Sequence, residues 1–433
     1  MRAVVVAGGE GRRMREFEPE APKPLIEVGG RSILEHQIRL LRRYDVADVH
    51  LTVRACDEAA FRERIGTGER FDVRLHYHAE SEPLGTAGGV RSLLDSPGED
   101  LLVFYGDVMV NMDLEALVRF HRVCRAAATL VVHPTDHPLD SDLVELEPDG
   151  RIRAVRPKPR AAGEEYRNCG NAALYVFAKE AASFISNGPN DFIRDVFPRA
   201  LEAGAALFGY RTREYLKDTG TPERLERVRA DFASGRIERF HREHAVPAVF
   251  FDRDGTLCEL VPLLCRVEDL RLLPGVAEAV RRVNEAGMLS VVATNQPMVA
   301  HGLCSIEDVE RIHARMETLI GAEGAKFDGI YFCPHHPDTG YEREVPELKI
   351  ACECRKPGGG LFRQAARDLN IDLARSYLIG DATRDIEAGR RLGLRTIGVE
   401  TGKACRDGKF PALPDVRCAD VPAAVRHVLH ALR

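Results

Sequence analysis

The stretch that most constrains the fold is an apolar run, 248–251, that ends in two carboxylates, Asp252 and Asp254, and a glycine, Gly255. Four apolar, β-prone residues predict a buried parallel strand. Ligands of open α/β sheets bind at the carboxyl ends of strands, so both acids would border a site. Gly255 permits the sharp turn that leaves the sheet. One acid can act as nucleophile and the other can move protons, with a cation suppressing their repulsion. A strand ending in an acidic turn is the alternative for this motif alone.

Three later stretches favour the site. A second apolar strand, 290–293, runs into Thr294 and Asn295, whose hydroxyl and amide suit phosphate oxygens. Lys356 then supplies a positive charge, and a third strand, 377–379, runs into Asp381. Each element is weak by itself, but their order is specific.

With these motifs, residues 247–405 resemble the phosphatases of the haloacid dehalogenase (HAD) superfamily. The resemblance implies that Asp252 forms an aspartyl-phosphate and that Asp254 is the general acid/base. It also implies Mg²⁺ held by Asp252, Asp381 and the backbone carbonyl of Asp254. The residues expected to bind the phosphorylated substrate are Thr294, Asn295, Arg355 and Lys356.

Length and charge narrow the function class. The 433 residues are enough for two or three domains with full cores. A net charge of -6 without a long basic run argues against nucleic acid and anionic membranes as partners, and no stretch approaches a membrane span. The 11 cysteines, in a chain that begins without a signal-peptide pattern, indicate thiols and metal ligands rather than a disulfide framework. We therefore expect a cytoplasmic enzyme with small-molecule partners. The sequence does not determine the oligomeric state, and a homo-oligomer is one of the open alternatives.

The first half alternates strand-like and helical segments, a rhythm that predicts a parallel sheet. Its first strand, 2–7, ends in a glycine-rich loop with arginines, and a second glycine-rich loop spans 82–89. Such loops let backbone N–H groups approach a phosphate. Ser32 and Glu35 predict a capping box at the start of a helix. Asp107 and Asp218 stand at strand or loop ends, where a capping role is as common as a functional one.

Together the motifs AGGEGRRM, APKPL, EPLGTAGG, YGDVMVNMDL, NAALYVF and KDTGTPE resemble the sugar-phosphate nucleotidyltransferases over residues 1–225. The resemblance implies catalytic roles for Arg13 and Lys23 and Mg²⁺ held by Asp107 and Asp218. The residues it implies for substrate binding are Gly8, Gly9, Gly11, Gly85, Lys158 and Asn171. Three positions depart from the family pattern, namely Arg12, Pro157 and Ala173, where the family usually has Thr, Glu and Gly.

The chain is expected to form two doubly wound, three-layer α/β domains: a Rossmann-like nucleotidyltransferase domain (1–234) and a HAD-like phosphatase domain (248–433). The charged stretch 235–247 reads as a linker. The short distance from Asp254 to Thr294 leaves no room for a large lid, so we expect a minimal cap.

A loop in the second half carries four metal-ligand side chains in a CxH…CxC arrangement, Cys333, His335, Cys352 and Cys354. Three thiols and an imidazole suit tetrahedral Zn²⁺, and four protein ligands leave no open position, which predicts a structural site. Scattered buried thiols are the alternative. Zinc here would place the lysine at 356.

This loop, with DRDGTL and CRKP, resembles the D-glycero-D-manno-heptose 1,7-bisphosphate phosphatases and the related histidinol-phosphate phosphatases. In the heptose group the residues after Thr-Asn-Gln usually run Ser-Gly-Ile-Ala-Arg-Gly, whereas this chain has Pro297 and His301 at the Ser and Arg positions.

The two halves predict one bifunctional enzyme of nucleotide-sugar biosynthesis. The phosphatase would remove the C7 phosphate of the heptose bisphosphate, and the transferase would join the remaining 1-phosphate to an NTP, with GTP favoured by family analogy. A mannose or hexose 1-phosphate guanylyltransferase fused to a phosphatase for another small phosphoester is the rival enzyme. The non-enzymatic alternative is that one half of the chain only senses a nucleotide sugar.

Overall fold

The computed structural model describes residues 1–9, 22–95, 100–161 and 163–432. The chain divides into two compact units. The first comprises residues 1–133, 141–158 and 169–243, and the second comprises residues 134–140, 159–168 and 244–433.

Among its described residues, the first unit contains one mixed sheet of nine strands and two smaller sheets of two strands each. Its strands are β1 (Arg2–Val6), β2 (Glu27–Val28), β3 (Arg31–Ser32), β4 (Asp48–Arg54), β5 (Arg74–Glu80), β6 (Leu101–Tyr105), β7 (Val108–Asn111), β8 (Ala128–His133), β9 (Leu143–Leu146), β10 (Ile152–Arg156), β11 (Gly170–Phe177), β12 (Leu207–Arg211) and β13 (Tyr215–Asp218). The main sheet runs β10-β9-β11-β6-β1-β4-β5, with β8 pairing to β11 and β12 to β8. Its α-helices span Ile33–Arg43, Glu58–Ile65, Arg91–Asp95, Leu114–Cys124, Phe197–Glu202, Pro222–Ala233 and Arg236–Arg239.

Strand β1 shows why this unit has three layers. Ala3 and Val5 pack in the core on one face of the sheet, whereas Val4 packs in the core on the other face. Both faces are therefore covered, and the strand is continuously apolar rather than alternating. The predicted capping box is present, since Ser32 Oγ accepts from Glu35 N at 3.2 Å and Glu35 Oε2 accepts from Ser32 N at 2.7 Å.

The βα rhythm predicted a parallel sheet, and β1 pairs in parallel with β4 and β6, as β4 does with β5. Strand β11 departs from that prediction, because it pairs antiparallel with β6, β8 and β9. The two-stranded sheet formed by β7 and β13 is also antiparallel, and it joins residues more than 100 positions apart in the chain. Local periodicity does not distinguish the direction of such long-range pairs.

The second unit is built on a parallel sheet of β14 (Ala248–Phe251), β15 (Leu289–Asn295), β16 (Gly329–Cys333), β17 (Tyr377–Gly380), β18 (Arg395–Val399) and β19 (Val416–Cys418), in the order β16-β15-β14-β17-β18-β19. Its α-helices span Val276–Glu285, Ile306–Gly321, Gly360–Leu369, Thr383–Leu392 and Val421–His430. Val249 and Phe251 enter the core on one face, and Phe250 meets Phe362 edge-on across the other, with ring centroids 5.1 Å apart. Two doubly wound α/β domains, the predicted fold class, are confirmed.

The stretch predicted to be a linker, 235–247, contains the short helix Arg236–Arg239; Ile237 on this helix and Phe240 directly after it are buried. The segments before and after β15 each contain one α-helix, Val276–Glu285 and Ile306–Gly321, and neither segment holds an inserted domain among the described residues. Within the described residues, no helix combines the length and the apolar character that crossing a bilayer requires.

Candidate active sites

Three adjacent parallel strands deliver the polar residues of the second unit to one edge of its sheet. Strand β14 lies between β15 and β17, and all three run in the same direction. Asp252 follows β14, Thr294 lies near the end of β15, and Asp381 follows β17. Carboxyl ends of parallel strands meet at one edge, so residues over 100 positions apart become neighbours.

Three carboxylates form the centre of this site. Asp252, Asp381 and Asp385 each place an oxygen within 4.8 Å of the others, and all three side chains are buried. Among the described residues, Asp252 Oδ2 and Asp381 Oδ1 have no hydrogen-bond partner. Buried oxygens without partners are costly unless a cation completes the site. Hard carboxylate oxygens are the ligands that Mg²⁺ prefers, so these residues fit the expected ion.

Glycine lets the chain approach that centre. Gly255 has φ +82°, and a Cβ atom there would lie 2.4 Å from Asp381 Oδ2. Gly402, with φ +57°, would place a Cβ 2.2 Å from the same oxygen. Any side chain at either position would displace the carboxylate, which explains the glycine that follows the two acids in the sequence.

Lys356 neutralises part of the carboxylate charge. Its Nζ lies 2.9 Å from Asp252 Oδ1 and 2.7 Å from Asp385 Oδ1, and it donates to the carbonyl of Ala293 at 2.7 Å. The side chain is fully buried. The ammonium group thus holds Asp252 by one oxygen, Oδ1, and leaves Oδ2 without a hydrogen bond among the described residues.

The side chain of Asn295 holds Lys356 by its backbone. Nδ2 of Asn295 donates to the carbonyl of Lys356 at 3.1 Å, and Oδ1 accepts from the Lys356 N–H at 2.9 Å. Both polar atoms of the amide are therefore used within the protein. The sequence predicted a substrate-binding role for Asn295, whereas the structure uses its amide to position the lysine.

Asp254, two residues after Asp252, has its own hydrogen-bond partners. The buried guanidinium of Arg253 donates to both of its oxygens at 3.0 Å, and Gln296 Nε2 donates to Oδ2 at 2.8 Å. The same amide donates to Thr294 Oγ1 at 2.9 Å. A paired carboxylate at 17 % side-chain exposure can reach solvent and substrate without losing its orientation.

Burial and charge pull the carboxyl pKa values apart. Burial opposes ionisation of Asp252, yet the charges of Lys356 and Arg384 outweigh it and hold the pKa of Asp252 below its ordinary value. Burial, reinforced by the charges of Asp252 and Asp385, raises the pKa of Asp381 to about 7. Of these two carboxyl groups, Asp252 is therefore the one whose surroundings favour the ionised form.

Two residues at this centre were absent from the sequence prediction. Asp385 accepts from Ala382 N at 3.1 Å at the start of the helix Thr383–Leu392, and it also pairs with the lysine. Arg384 places Nη2 4.0 Å from Asp252 Oδ2. The GDxxxD spacing in the sequence was the available signal for Asp385; no local pattern singled out Arg384.

The four predicted zinc ligands lie together in the second unit. The sulfur atoms of Cys333, Cys352 and Cys354 are 3.2–3.5 Å apart, and His335 Nδ1 lies 3.2 Å from Cys354 Sγ and 3.7 Å from Cys333 Sγ. Zn–S bonds of about 2.3 Å in a tetrahedron put sulfurs roughly 3.8 Å apart, so small rotations would admit the ion. Arg355 Nη1 donates to the carbonyl of His335 at 3.3 Å, which ties the residue before the active-site lysine to this cluster.

In the first unit, a cavity of about 340 Å³ gathers the predicted nucleotide-site residues. Gly8, Gly9, Lys23, Gly85 and Asp107 all line it. Gly85 has φ +73°, and a Cβ atom there would lie 2.3 Å from the carbonyl oxygen of Asn190, so only glycine fits. Lys23 Nζ is 3.3 Å from Asp107 Oδ2.

The pairing of β13 with β7 brings Asp218, the second predicted metal ligand, close to Asp107. Thr219 donates to the carbonyl of Asp107 through both N and Oγ1 at 2.9 Å, which fixes the chain beside Asp218. Asp218 Oδ1 and Lys23 Nζ lie 2.9 and 3.9 Å from the point where a Cβ of Gly220 would stand. Arg224 pairs with Asp218 Oδ1 at 2.8 Å. Lys23 thus pairs with Asp107 and also lies near Asp218.

The remaining predicted residues of the transferase site lie elsewhere or outside the described residues. In the described part of the chain, Lys158 and Asn171 are not among the residues that line the cavity. Asn171 Nδ2 donates to the hydroxyl of Tyr175 at 2.9 Å. The predicted Gly11 and Arg13, and the departing Arg12, fall between residues 9 and 22 and are not described.

Comparison with known proteins assigns each half to a family. The nucleotidyl transferase family matches residues 2–235 and the HAD-hydrolase-like family matches residues 353–424. The chain is 40% identical over 189 residues to the D-glycero-D-manno-heptose-1,7-bisphosphate 7-phosphatase of Thermosynechococcus vestitus, a match that covers 42% of this chain and 95% of the relative. It is 39% identical over 190 residues to the D-glycero-beta-D-manno-heptose-1,7-bisphosphate 7-phosphatase of Yersinia pestis, with 42% of this chain and 96% of the relative covered.

A solved structure of D,D-heptose 1.7-bisphosphate phosphatase from B. bronchiseptica, complexed with magnesium and phosphate, is also similar. It is 29% identical, with a TM-score of 0.38, and the match covers 43% of this chain and 99% of that one. The chain therefore belongs to two enzyme families: the nucleotidyl transferases through its first half, and the heptose-1,7-bisphosphate 7-phosphatases of the HAD-like hydrolases through its second.

Proposed function

We propose that this protein removes the 7-phosphate of D-glycero-D-manno-heptose 1,7-bisphosphate in its second unit and joins the resulting heptose 1-phosphate to an NTP in its first. The observation that carries the phosphatase step is the buried carboxylate of Asp252: its Oδ1 pairs with Lys356, and its Oδ2 has no hydrogen-bond partner among the described residues. The substrate follows from the 7-phosphatases that match nearly their whole length to this chain.

The phosphatase step divides between the two acids. Asp252 Oδ2 attacks the phosphorus, and the bond from phosphorus to the C7 oxygen breaks as Asp254 donates a proton to that oxygen. Asp254 then takes a proton from water, which attacks the aspartyl-phosphate and releases inorganic phosphate. Lys356 and Arg384 stabilise the charge on the transferring group.

Mg²⁺, held by Asp252, Asp381 and the backbone carbonyl of Asp254, would neutralise phosphoryl charge and orient the group for in-line attack. Asp385 would complete the charge balance through the lysine. We also propose structural Zn²⁺ on Cys333, His335, Cys352 and Cys354, which supply the soft ligand set that this ion favours.

The transferase step follows from the product of the first. Removal of the 7-phosphate leaves the 1-phosphate, whose oxygen can attack the α-phosphorus of an NTP and release pyrophosphate. Lys23 would balance the triphosphate charge, and Asp107 and Asp218 would hold Mg²⁺ beside it. Arg13, which lies outside the described residues, keeps its proposed role at the leaving pyrophosphate. GTP is the nucleotide we favour.

The test is to incubate heptose 1,7-bisphosphate with all four NTPs and identify the products by mass spectrometry. We expect one NDP-heptose, inorganic phosphate and pyrophosphate. Asp252→Asn should stop phosphate release from the bisphosphate while the variant still couples added heptose 1-phosphate, and Asp107→Asn should do the reverse.

Other outcomes would redirect the assignment. Turnover of a hexose 1-phosphate but not of heptose 1-phosphate would favour the rival hexose guanylyltransferase, and faster release of phosphate from histidinol phosphate would move the phosphatase to the related group. Nucleotide-sugar binding without pyrophosphate release would favour a sensing role for the first half.

A further inference from the structure

A cluster of histidines on strands β4 and β5 is used by neither proposed reaction. Along β4, Val49, Leu51 and Val53 enter the core on one face of the sheet, so Asp48 and His50 stand on the opposite face. On β5, Leu75 and Tyr77 pack against that same core, which puts His76 and His78 beside His50. The parallel register pairs His50 with His76 directly.

The side chains of this cluster already contact one another. His76 Nε2 lies 2.7 Å from Asp48 Oδ1, and His50 Nδ1 lies 2.9 Å from His78 Nε2. The rings of His50 and His76 stack with centroids 4.7 Å apart. Asp48, His50 and His76 each offer a ligand atom within 4.8 Å of the other two.

One nitrogen of the cluster has no use within the protein. His50 Nε2 is buried and, among the described residues, has no hydrogen-bond partner. When His50 Nδ1–H donates to His78, Nε2 carries a bare lone pair, and the histidine at 78 fixes the tautomer and the ring. Metal-ligating histidines commonly have such an orienting partner on the second nitrogen.

The charges around the cluster are compatible with a cation. Asp48 contributes a negative charge. Arg2 is also nearby, but its Nη2 donates to the carbonyl of Leu93 at 3.0 Å.

We propose that Asp48, His50 and His76 bind one divalent transition-metal ion of the Zn²⁺ class, with His78 orienting His50. Two imidazoles and a carboxylate suit such borderline ions better than Mg²⁺ or Ca²⁺. Three protein ligands leave at least one coordination position for water or an exogenous ligand. The site is separate from the cysteine cluster, which belongs to the second unit.

The experiment is a zinc titration of the full chain without an affinity tag, followed by isothermal calorimetry. The cysteine cluster would fill first, as a tight class, and we expect a second, weaker class from the histidine cluster. His76→Gln should lower the affinity of the second class at least tenfold and leave the tight class unchanged, and His50→Gln should do the same. His76 is exposed, so its variant should fold like the parent, which unfolding without added zinc would check.

His427→Gln is the matched control, because His427 is an exposed histidine on the helix Val421–His430 with no part in either cluster. Its titration should match that of the parent. Zinc should also raise the unfolding temperature of the parent more than that of His76→Gln. The proposal is overturned if no second class appears, or if the His50 and His76 variants titrate like the parent and the control.

Discussion

Replacement of Asn295 by alanine tests whether this side chain positions Lys356. Its amide makes two hydrogen bonds to the backbone of Lys356, at 3.1 and 2.9 Å, in a buried setting. The variant would leave a buried N–H and a buried C=O without partners, at about 1–3 kcal/mol each. Because the surrounding residues can relax and water can enter, we expect Asn295→Ala to lower the free energy of unfolding by about 2–4 kcal/mol.

Part of that loss should appear in catalysis. Lys356 pairs with Asp252, the proposed nucleophile, at 2.9 Å, so a shift of its backbone would alter both the lysine and that carboxylate. Each 1.4 kcal/mol of transition-state stabilisation is about tenfold in rate. We therefore expect kcat/KM of Asn295→Ala for phosphate release to fall about 10- to 100-fold, mostly through kcat.

The assay needs a control variant that loses buried side-chain hydrogen bonds away from the site. Asn284 is also a buried asparagine of the second unit, and it donates to Ser290 Oγ at 3.1 Å and accepts from Lys326 N at 3.0 Å. Asn284→Ala should cost a similar free energy of unfolding in urea, yet leave kcat/KM for phosphate release within about twofold of the parent. If Asn295→Ala and Asn284→Ala lose similar stability and both keep full phosphatase activity, the proposed positioning of Lys356 is wrong.

Three further predictions concern other parts of the chain. Cys352→Ser should lower the bound zinc, measured by chelator-dye release. It should also reduce phosphatase kcat at least about tenfold, because the loop before Lys356 would lose its anchor. Unchanged zinc content would contradict the proposed zinc site. Ala173 has φ +54°, so Ala173→Gly should raise the free energy of unfolding of the first unit by about 1 kcal/mol. Its neighbour is the control: Ala172→Gly should lower the free energy of unfolding by about 0.5–1 kcal/mol. Equal effects of the two substitutions in thermal unfolding would rule out relief of backbone strain. Asp218→Asn should reduce NTP–pyrophosphate exchange about 100-fold without changing phosphate release by the second unit; unchanged exchange would remove Asp218 from the metal site.

The departure from the family pattern at Ala173 gains a physical meaning from the backbone. The family usually has glycine there, and the left-handed φ is the conformation that glycine adopts without strain. The structure thus shows a local conformational cost in β11, close to Asn171, whose amide donates a hydrogen bond to the Tyr175 hydroxyl.

Local patterns were sufficient for the elements that carry chemistry. Strand β14 was predicted with its observed bounds, and the helix that begins after Ser32 was predicted from its capping box. These features depend on residues a few positions apart, so the sequence displays them directly. The antiparallel pairings of β11 and of β7 with β13 depend on partners far along the chain, and local periodicity does not predict such partners.

By itself the sequence determined which residues end each strand and, through the order of those strand ends, the two families and the chemistry of each half. Only the tertiary structure decided what each polar atom does. It turned Asn295 toward the backbone of Lys356, paired that lysine with Asp385, and set His50 beside His76. The physical reason is that parallel strands bring together residues that are distant in sequence, and burial then requires every polar atom to find a partner, a cation or water.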